Sequence, residues 1–487
     1  MTDVAEKPKE TGRTFFGQPP VLANLFGVEL WERFSFYGMQ GILLLYLFYP
    51  ADQGGLGISE DTAVGIVGAY GGLVYLSTIG GAWVADRLIG SERTLFYSAV
   101  LVMAGHIALS LLPGTLGVGV GLVLIALGSG GVKANATSLV GTLYTEEDPR
   151  RDAGFSLFYL GINLGALLGP LLTGWLQTSY GFHIGFAAAA IGMAIGLIQY
   201  TIGRKRLSAE ANEVPDPLPR NERLRYALGI VAGLVVIAVL GITGVLRATN
   251  LDTAVIIVTA LATLSYFAVI LSSRHVNPVE RNRVIAFIPL FIASAAFWSL
   301  YQQQFTVLTV YSNSQLDRDI FGWTMPVSWV QSINPVFIII LSGVFAAIWT
   351  KMGDRQPSSP LKFAAGTAVM GIAFLLFIPM ASTQPNSAPL LGLTGVIFVF
   401  TIAELLLSPV GLSLTTKLAP EAFQTQMVAL FFLSVALGTA LSGKLAQYYS
   451  PDTQVAYFGI LGAIAIVIGI ILALMTPWLR RLMGGVR

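Results

Sequence analysis

"ELWERFSFYGMQ", residues 29–40, decides how this chain is read. It lies inside a stretch, 21–48, that is otherwise apolar enough to cross a bilayer, yet it places Glu29, Glu32 and Arg33 within five residues. On insertion scales each such charge costs roughly 2.5–3.5 kcal/mol at the centre of a membrane helix. On a helix, Glu29, Glu32, Arg33, Phe36, Tyr37 and Gln40 follow i, i+3, i+4, i+7 spacing and share one face. That face must look at protein or water rather than lipid. A static ion pair needs only one acid beside Arg33. The second acid leaves a carboxylate whose proton can move, which is what a coupling ion requires. A salt-bridged helix interface is the alternative reading of the same residues.

The rest of the chain fits a membrane setting. Of 487 residues, 54% are hydrophobic and 11% charged, with a mean hydropathy of +0.72, whereas a soluble domain carries about 25% charged residues. A net charge of +2 with basic residues scattered over connections gives no footprint for a nucleic acid. There is no cysteine, which excludes disulfides and thiolate metal sites. Apolar runs of about 20 residues, the length that crosses a bilayer, occur near 21–48, 62–85, 94–112, 117–140, 153–178, 182–203, 222–246, 251–273, 282–310, 325–351, 360–382, 388–417, 421–448 and 455–479. They are too long and continuous for barrel strands.

Lys and Arg alternate from one connection to the next. Lys7, Lys9 and Arg13; Arg87 and Arg93; Arg150 and Arg151; Arg204 to Arg206 with Arg220, Arg223 and Arg225; Arg274, Arg281 and Arg283; Lys351, Arg355 and Lys362; Lys417; and Arg480, Arg481 and Arg487 all fall on one side. Only Arg247 and Arg318 fall on the other. The positive-inside rule therefore expects both termini in the cytoplasm of a multi-pass protein of the cell membrane, as an even span count requires.

The expected division is a cytoplasmic tail (1–20), a first six-helix bundle (21–203), a linker carrying two inserted membrane helices (204–281), and a second six-helix bundle with a short tail (282–487). The tail lacks the apolar core and cleavage site of a signal peptide. The inserted pair has no ionisable residue within the membrane and is expected to pack outside, away from any polar pathway. Two six-helix halves are typical of transporters with a midplane site between them.

Other intramembrane charges add to the picture. Lys133, in "ALGSGGVKANATSLVG", needs an acid or an anionic ligand; a buried pair with Glu29 or Glu32 is one way to satisfy it. A phosphate loop is ruled out there by the spacing, the residue after the lysine and the absence of a preceding strand. Glu404, in "FTIAELLLSPVGLSL", has no Lys or Arg near it on its own helix and suits a ligand ammonium, or stands as a hydrogen-bonded structural acid; Ser408-Pro409, one turn on, loosens the helix and frees a carbonyl. His106 reads as a helix-packing histidine and Lys444, near an outer helix end, as a snorkelling one. Asp86 and Arg87, in "GAWVADRLIGSER", are expected to latch adjacent cytoplasmic helix ends. Bases from the first half and an acid from the second would make a cavity that is positive on one wall and negative on the other. A short zwitterion matches that dipole.

"ELWERFSFYG" resembles the ExxERFxYYG motif of the proton-coupled oligopeptide transporters, a branch of the major facilitator superfamily. "GSGGVKANATSLVG", "FYLGINLGALLGP", "QSINPVFIII" and "AELLLSPVGLS" extend the resemblance over nearly the whole chain. The fourteen spans also look like bacterial members with an extra helix pair. The resemblance implies symport of di- and tripeptides with protons by alternating access, with Glu29, Glu32 and Arg33 as coupling triad. It implies that Arg33, Tyr37 and Lys133 receive the peptide carboxylate, that Asn163 and Asn334 hold the backbone, that Glu404 takes the amino terminus, and that Tyr75 and Phe431 line the pocket.

Three departures stand out. Phe36 replaces a common Tyr, Gln40 stands where many members have Arg, and Gln302 where many have Glu or Asp. Two amides in place of a cation–acid pair are expected to bond each other across the outer mouth. No cofactor beyond the coupling proton and no metal is expected, nor an enzyme: there is no HExxH and only three scattered histidines. A monomer is the default. The alternative function is transport or facilitation of another small zwitterion or anion, such as a peptide-like drug, an amino-acid conjugate or nitrate.

Overall fold

A computed structural model describes residues 14–145, 148 and 150–486. Lys7, Lys9, Arg13 and Arg487 of the basic pattern lie outside the described residues. The chain runs through α1 (Pro20–Phe48), α2 (Glu60–Val84), α3 (Ser91–Leu111), α4 (Gly114–Gly141), α5 (Arg151–Tyr180) and α6 (Phe182–Gly203). A linker then leads into α7 (Arg220–Ile242) and α8 (Leu251–Ser272). The remainder comprises α9 (Pro278–Tyr301), α10 (Val307–Ser314), α11 (Ile333–Met352), α12 (Ser359–Leu375), α13 (Leu390–Leu418), α14 (Gln424–Ala446) and α15 (Gln454–Leu482).

Among the described residues, thirteen helical stretches are long and apolar enough to cross a membrane by length and composition. Helix α1, with 29 residues, makes the fourteenth in spite of its charges; Pro20 at its first position has no N–H to lose and a φ already set for the helix. The expected spans fall on these helices to within a few residues. Helices α9 and α10 form one crossing, interrupted by a 3-10 turn at Gln302–Phe305 and by Thr306 at φ −120°, ψ −91°. No Gly or Pro marks this break in "YQQQFTV".

The two halves pack by similar rules. In the first, α1 lies on α5 and α6, α3 on α4 and α6, and α2 on α4. In the second, α12 lies on α13 and α15, α9 on α14, and α11 on α13. Together with two inserted helices this is the major-facilitator architecture. The halves meet where α2 lies along α14 and α5 along α11. Glycine permits the first contact: a Cβ on Gly68 would stand 2.5 Å from the Cα of Gly443, so the two backbones touch directly. At the outer end of the second, Ser328 Oγ donates to the Pro170 carbonyl at 3.0 Å, Trp329 Nε1 to Leu171 at 2.9 Å and Ser332 Oγ to Leu167 at 2.8 Å. Tyr49 Oη donates to Asn313 Oδ1 at 2.6 Å beside them. That end is shut by neutral bonds and close packing.

The inserted helices differ from the expectation and from each other. No residue of α7 is buried; its ring contact with the bundles is Tyr226 against Trp83, with centroids 5.3 Å apart. Helix α8, in contrast, packs on both α14 and α2. It brings Asp252, 1% exposed, to within 3.8 Å of Lys444. Lys444, its side chain 37% exposed, thus reaches this carboxylate as well as water, and the pair of helices brings one buried charge at the start of α8. The partner lies far off in sequence on a helix that had seemed peripheral.

Candidate functional site

The α1 face is built as its spacing requires, with Glu29 1%, Glu32 0% and Arg33 6% exposed. Arg33 Nε donates to Glu29 Oε1 at 2.7 Å, and its Nη1 lies 3.4 Å from Glu32 Oε2. Ser129 Oγ of α4 donates to Glu32 Oε1 at 2.7 Å. The second oxygen of each carboxylate, Glu29 Oε2 and Glu32 Oε2, receives no hydrogen bond. Ser129 was passed over in the sequence, although it stands four residues before Lys133 and so on the same face of α4.

Lys133 makes no ion pair among the described residues. Its Nζ sits 4.6 Å from the Phe36 ring centroid and 5.7 Å from that of Tyr75. Two aromatic faces hold the cation while leaving its donors free. Phe36 stacks in turn on Tyr70 at 6.1 Å.

The facing wall comes from α9, α11 and α13. Asn334 Nδ2 donates to Glu404 Oε2 at 3.3 Å and to Thr401 Oγ1 at 3.0 Å, and Tyr301 Oη donates to Asn334 Oδ1 at 3.3 Å. Glu404 thus has only neutral partners. Pro409 supplies no N–H, so the Leu405 carbonyl below Glu404 loses its helical donor. Tyr301 and Thr401 carried no charge or motif to announce them.

The walls touch through uncharged groups. Tyr37 stacks on Phe305 at 6.0 Å, and Gln302 Nε2 reaches Tyr75 Oη at 3.5 Å. The expected Gln40–Gln302 bond is not formed: Gln40 Oε1 is buried without a donor, and Gln302, on the turn that breaks the ninth span, points to α2 instead. Asn163 is 7% exposed and donates to its own helix at the Tyr159 carbonyl, 2.9 Å away. Phe431, 6% exposed, packs beside Phe432 at 5.7 Å.

Below this cluster a cavity of about 1360 Å³ opens toward the cytoplasmic helix ends. It begins at Leu405 and Ser408, passes Tyr159 and Ile162 on α5, and ends at Lys362, Lys417 and Arg480. None of the sequence-predicted binding residues lines it. Arg87 pairs with Asp216 of the linker, while Asp216 N donates to the Asp86 carbonyl at 3.0 Å and Leu218 N to that of Arg87 at 2.9 Å. The expected latch between adjacent helix ends is therefore a clasp on the linker. His106 is 0% exposed with neither ring nitrogen bonded. No group of His, Asp and Glu side chains among the described residues could hold a metal ion.

Charge bookkeeping shows what the arrangement can do. On the α1–α4 wall, two acids (Glu29, Glu32) face two bases (Arg33, Lys133). On the other wall, Glu404 stands alone. An incoming carboxylate would leave the first wall one negative charge in excess. An incoming ammonium would neutralise the second.

A family model described as POT family matches residues 92–467. A di-/tripeptide transporter of Lactococcus lactis subsp. cremoris is 40% identical over 98% of this chain and 99% of its own length. A crystal structure of a peptide transporter POT in complex with sulfate superimposes with a TM-score of 0.93 at 44% identity, covering 97% of each chain. A POT family transporter in complex with 5-aminolevulinic acid gives a TM-score of 0.89 at 39% identity, covering 96% of this chain and 98% of that one.

Proposed function

The chain belongs to the POT family, and from that premise we propose that it carries di- and tripeptides into the cell together with protons, by alternating access between its two halves. The observation that supports coupling most directly is the α1 cluster, where two buried carboxylates share one guanidinium and each keeps an oxygen without a donor. The wall is neutral only while empty. A peptide carboxylate arriving at Arg33 and Lys133 adds a negative charge in a dry site, where an uncompensated charge is costly. A proton on Glu29 or Glu32 cancels it, so each ligand favours the other. Release to the cytoplasm lets Arg33 return to both acids and frees the proton.

At the other end Glu404 takes the peptide ammonium, and Asn334 and Asn163 meet the backbone amides between the two charges. Tyr37, Tyr75, Gln40, Gln302 and Phe431 shape the space around them. Moving one charge across the membrane draws about 2.3 kcal/mol per 100 mV, which supports accumulation. The molecule acts by transport and not by catalysis.

The testing experiment is uptake of labelled dialanine into proteoliposomes with and without an inward proton gradient, with 5-aminolevulinic acid and nitrate as competitors. Gradient-driven accumulation blocked by unlabelled dipeptide is the expected result. Equilibration without accumulation would reduce the protein to a facilitator. Uptake of 5-aminolevulinic acid without dialanine would favour the reading as a carrier of smaller zwitterions, which the neighbour holding that ligand keeps in view.

A further inference from the structure

Asp252 lies in the first turn of α8, a helix belonging to neither six-helix half, and is 1% exposed. Its Oδ2 accepts from Gln447 Nε2 at 2.9 Å and lies 3.8 Å from Lys444 Nζ, which itself donates to Gln447 Oε1 at 3.0 Å. Its Oδ1 accepts from Thr253 N at 2.6 Å. Helix α2 forms the lid: a Cβ on Gly65 would stand 2.8 Å from Gln447 Nε2 and 3.6 Å from Asp252 Oδ2. A carboxylate from α8, two side chains from α14 and the backbone of α2 thus meet at the outer end of the seam between the halves. Further in, Gly68 touches Gly443, and Val255 of α8 packs with Ala69 and Ala440 across both helices.

The two charges are unequal in one respect. The Lys444 side chain is 37% exposed, so it can turn to water by itself; the Asp252 side chain, 1% exposed, meets water only if α2 lifts away. A buried charge deprived of its partner is far costlier than a surface one. Taking away the lysine therefore leaves a strained carboxylate that parting of the seam relieves. Taking away the carboxylate leaves no such demand.

We propose that Asp252 is a positioning residue for the outer gate: Lys444 and Gln447 keep the α2–α14 seam closed by keeping Asp252 satisfied, and the inserted helix thereby sets the balance between closed and parted outer faces. This rests on the alternating-access reading above.

The chain has no cysteine, so a single thiol can report on the seam. Thr439 of α14 is 4% exposed, and its methyl group lies against Gly71 of α2. Thr439→Cys in intact cells would be labelled by a membrane-impermeant maleimide only while the seam is open to the outside. In that background Lys444→Met and Gln447→Leu should each speed labelling roughly threefold to tenfold. Lys444→Arg and Asp252→Asn should stay within about twofold of the parent, and Asp252→Asn added to Lys444→Met should restore the parent rate. An unchanged rate in Lys444→Met overturns the proposal alone. So does an equal acceleration in Asp252→Asn, which would make the cluster a simple clamp. A thiol never labelled in any variant that still takes up dialanine would overturn seam opening itself, and alternating access with it.

Discussion

The two walls of the site solve opposite problems. The α1–α4 wall gathers four charges that cancel among themselves, with Arg33 bonded to Glu29 at 2.7 Å and Glu32 bonded to Ser129 at 2.7 Å. The α9–α13 wall holds one acid, Glu404, which accepts a hydrogen bond of 3.3 Å from the Asn334 side-chain amide and meets no cation among the described residues. On the proposed reading a ligand carboxylate would displace Arg33 from its present partners on the first wall, whereas a ligand ammonium would simply complete the second. Under the proposed symport, exchange of partners is where a proton would be linked to a peptide, and completion would provide grip without linkage.

The difference can be broken most severely at Arg33. Arg33→Gln removes the guanidinium bonded to both carboxylates and leaves them facing Lys133 alone, a loss of about 3–5 kcal/mol. Dialanine uptake should fall at least a hundredfold and the melting temperature with it; Glu29→Gln in that background should recover the melting temperature but not the uptake. Survival of uptake in the single variant would mean the wall does not work by partner exchange. Next in size is Glu404→Gln. Losing a charged hydrogen bond of about 1.5–3 kcal/mol should raise the half-saturation for dialanine roughly tenfold to a hundredfold. N-acetyl-dialanine, which has no ammonium, should inhibit both proteins equally; a matching loss for both ligands would show that Glu404 is structural.

Smaller changes sharpen the contrast. Ser129→Ala removes a neutral donor from Glu32 and touches no ligand. It should lower the maximal gradient-driven rate roughly threefold while leaving half-saturation unchanged, and a pure half-saturation effect would move Ser129 into the binding site. Tyr75→Phe should cost less than about twofold in dialanine uptake, because the 3.5 Å contact with Gln302 is at the limit of a hydrogen bond.

Much of this was legible in the sequence for physical reasons. A bilayer demands long apolar helices, so the spans announce themselves, and charge inside one of them is so costly that Glu29, Glu32, Arg33, Lys133 and Glu404 stand out. Partnerships between distant segments do not announce themselves in this way. Asp252 sits at a helix start, where an acid is ordinary, and nothing in the chain ties it to Lys444. Asp216 lies in a polar linker that gives no hint of reaching back to Arg87. The two amides, Gln40 and Gln302, have the chemistry to bond each other, but the turn at Gln302–Phe305 aims the second elsewhere. Ser129, Tyr301 and Thr401 are too common in helices to be singled out before the carboxylates they serve have been placed.

Helix α7 carries a consequence of another kind. The first six of its 23 residues, RNERLR, carry four charges, so the apolar stretch from Tyr226 to Ile242 rises only about 25 Å, less than the roughly 30 Å of a typical hydrocarbon core, and no residue of the helix is buried by the bundles. A stretch shorter than the core is met by local thinning of the bilayer or by flanking side chains that snorkel, and Arg220, Arg223 and Arg225 stand at the N-terminal end of the helix. The short connection from Ile242 to Leu251 ends at α8, the helix that lies on α2 and α14 at the outer seam. The most lipid-exposed helix of the chain is thus joined by a short connection to the one that packs beside the seam of the two halves.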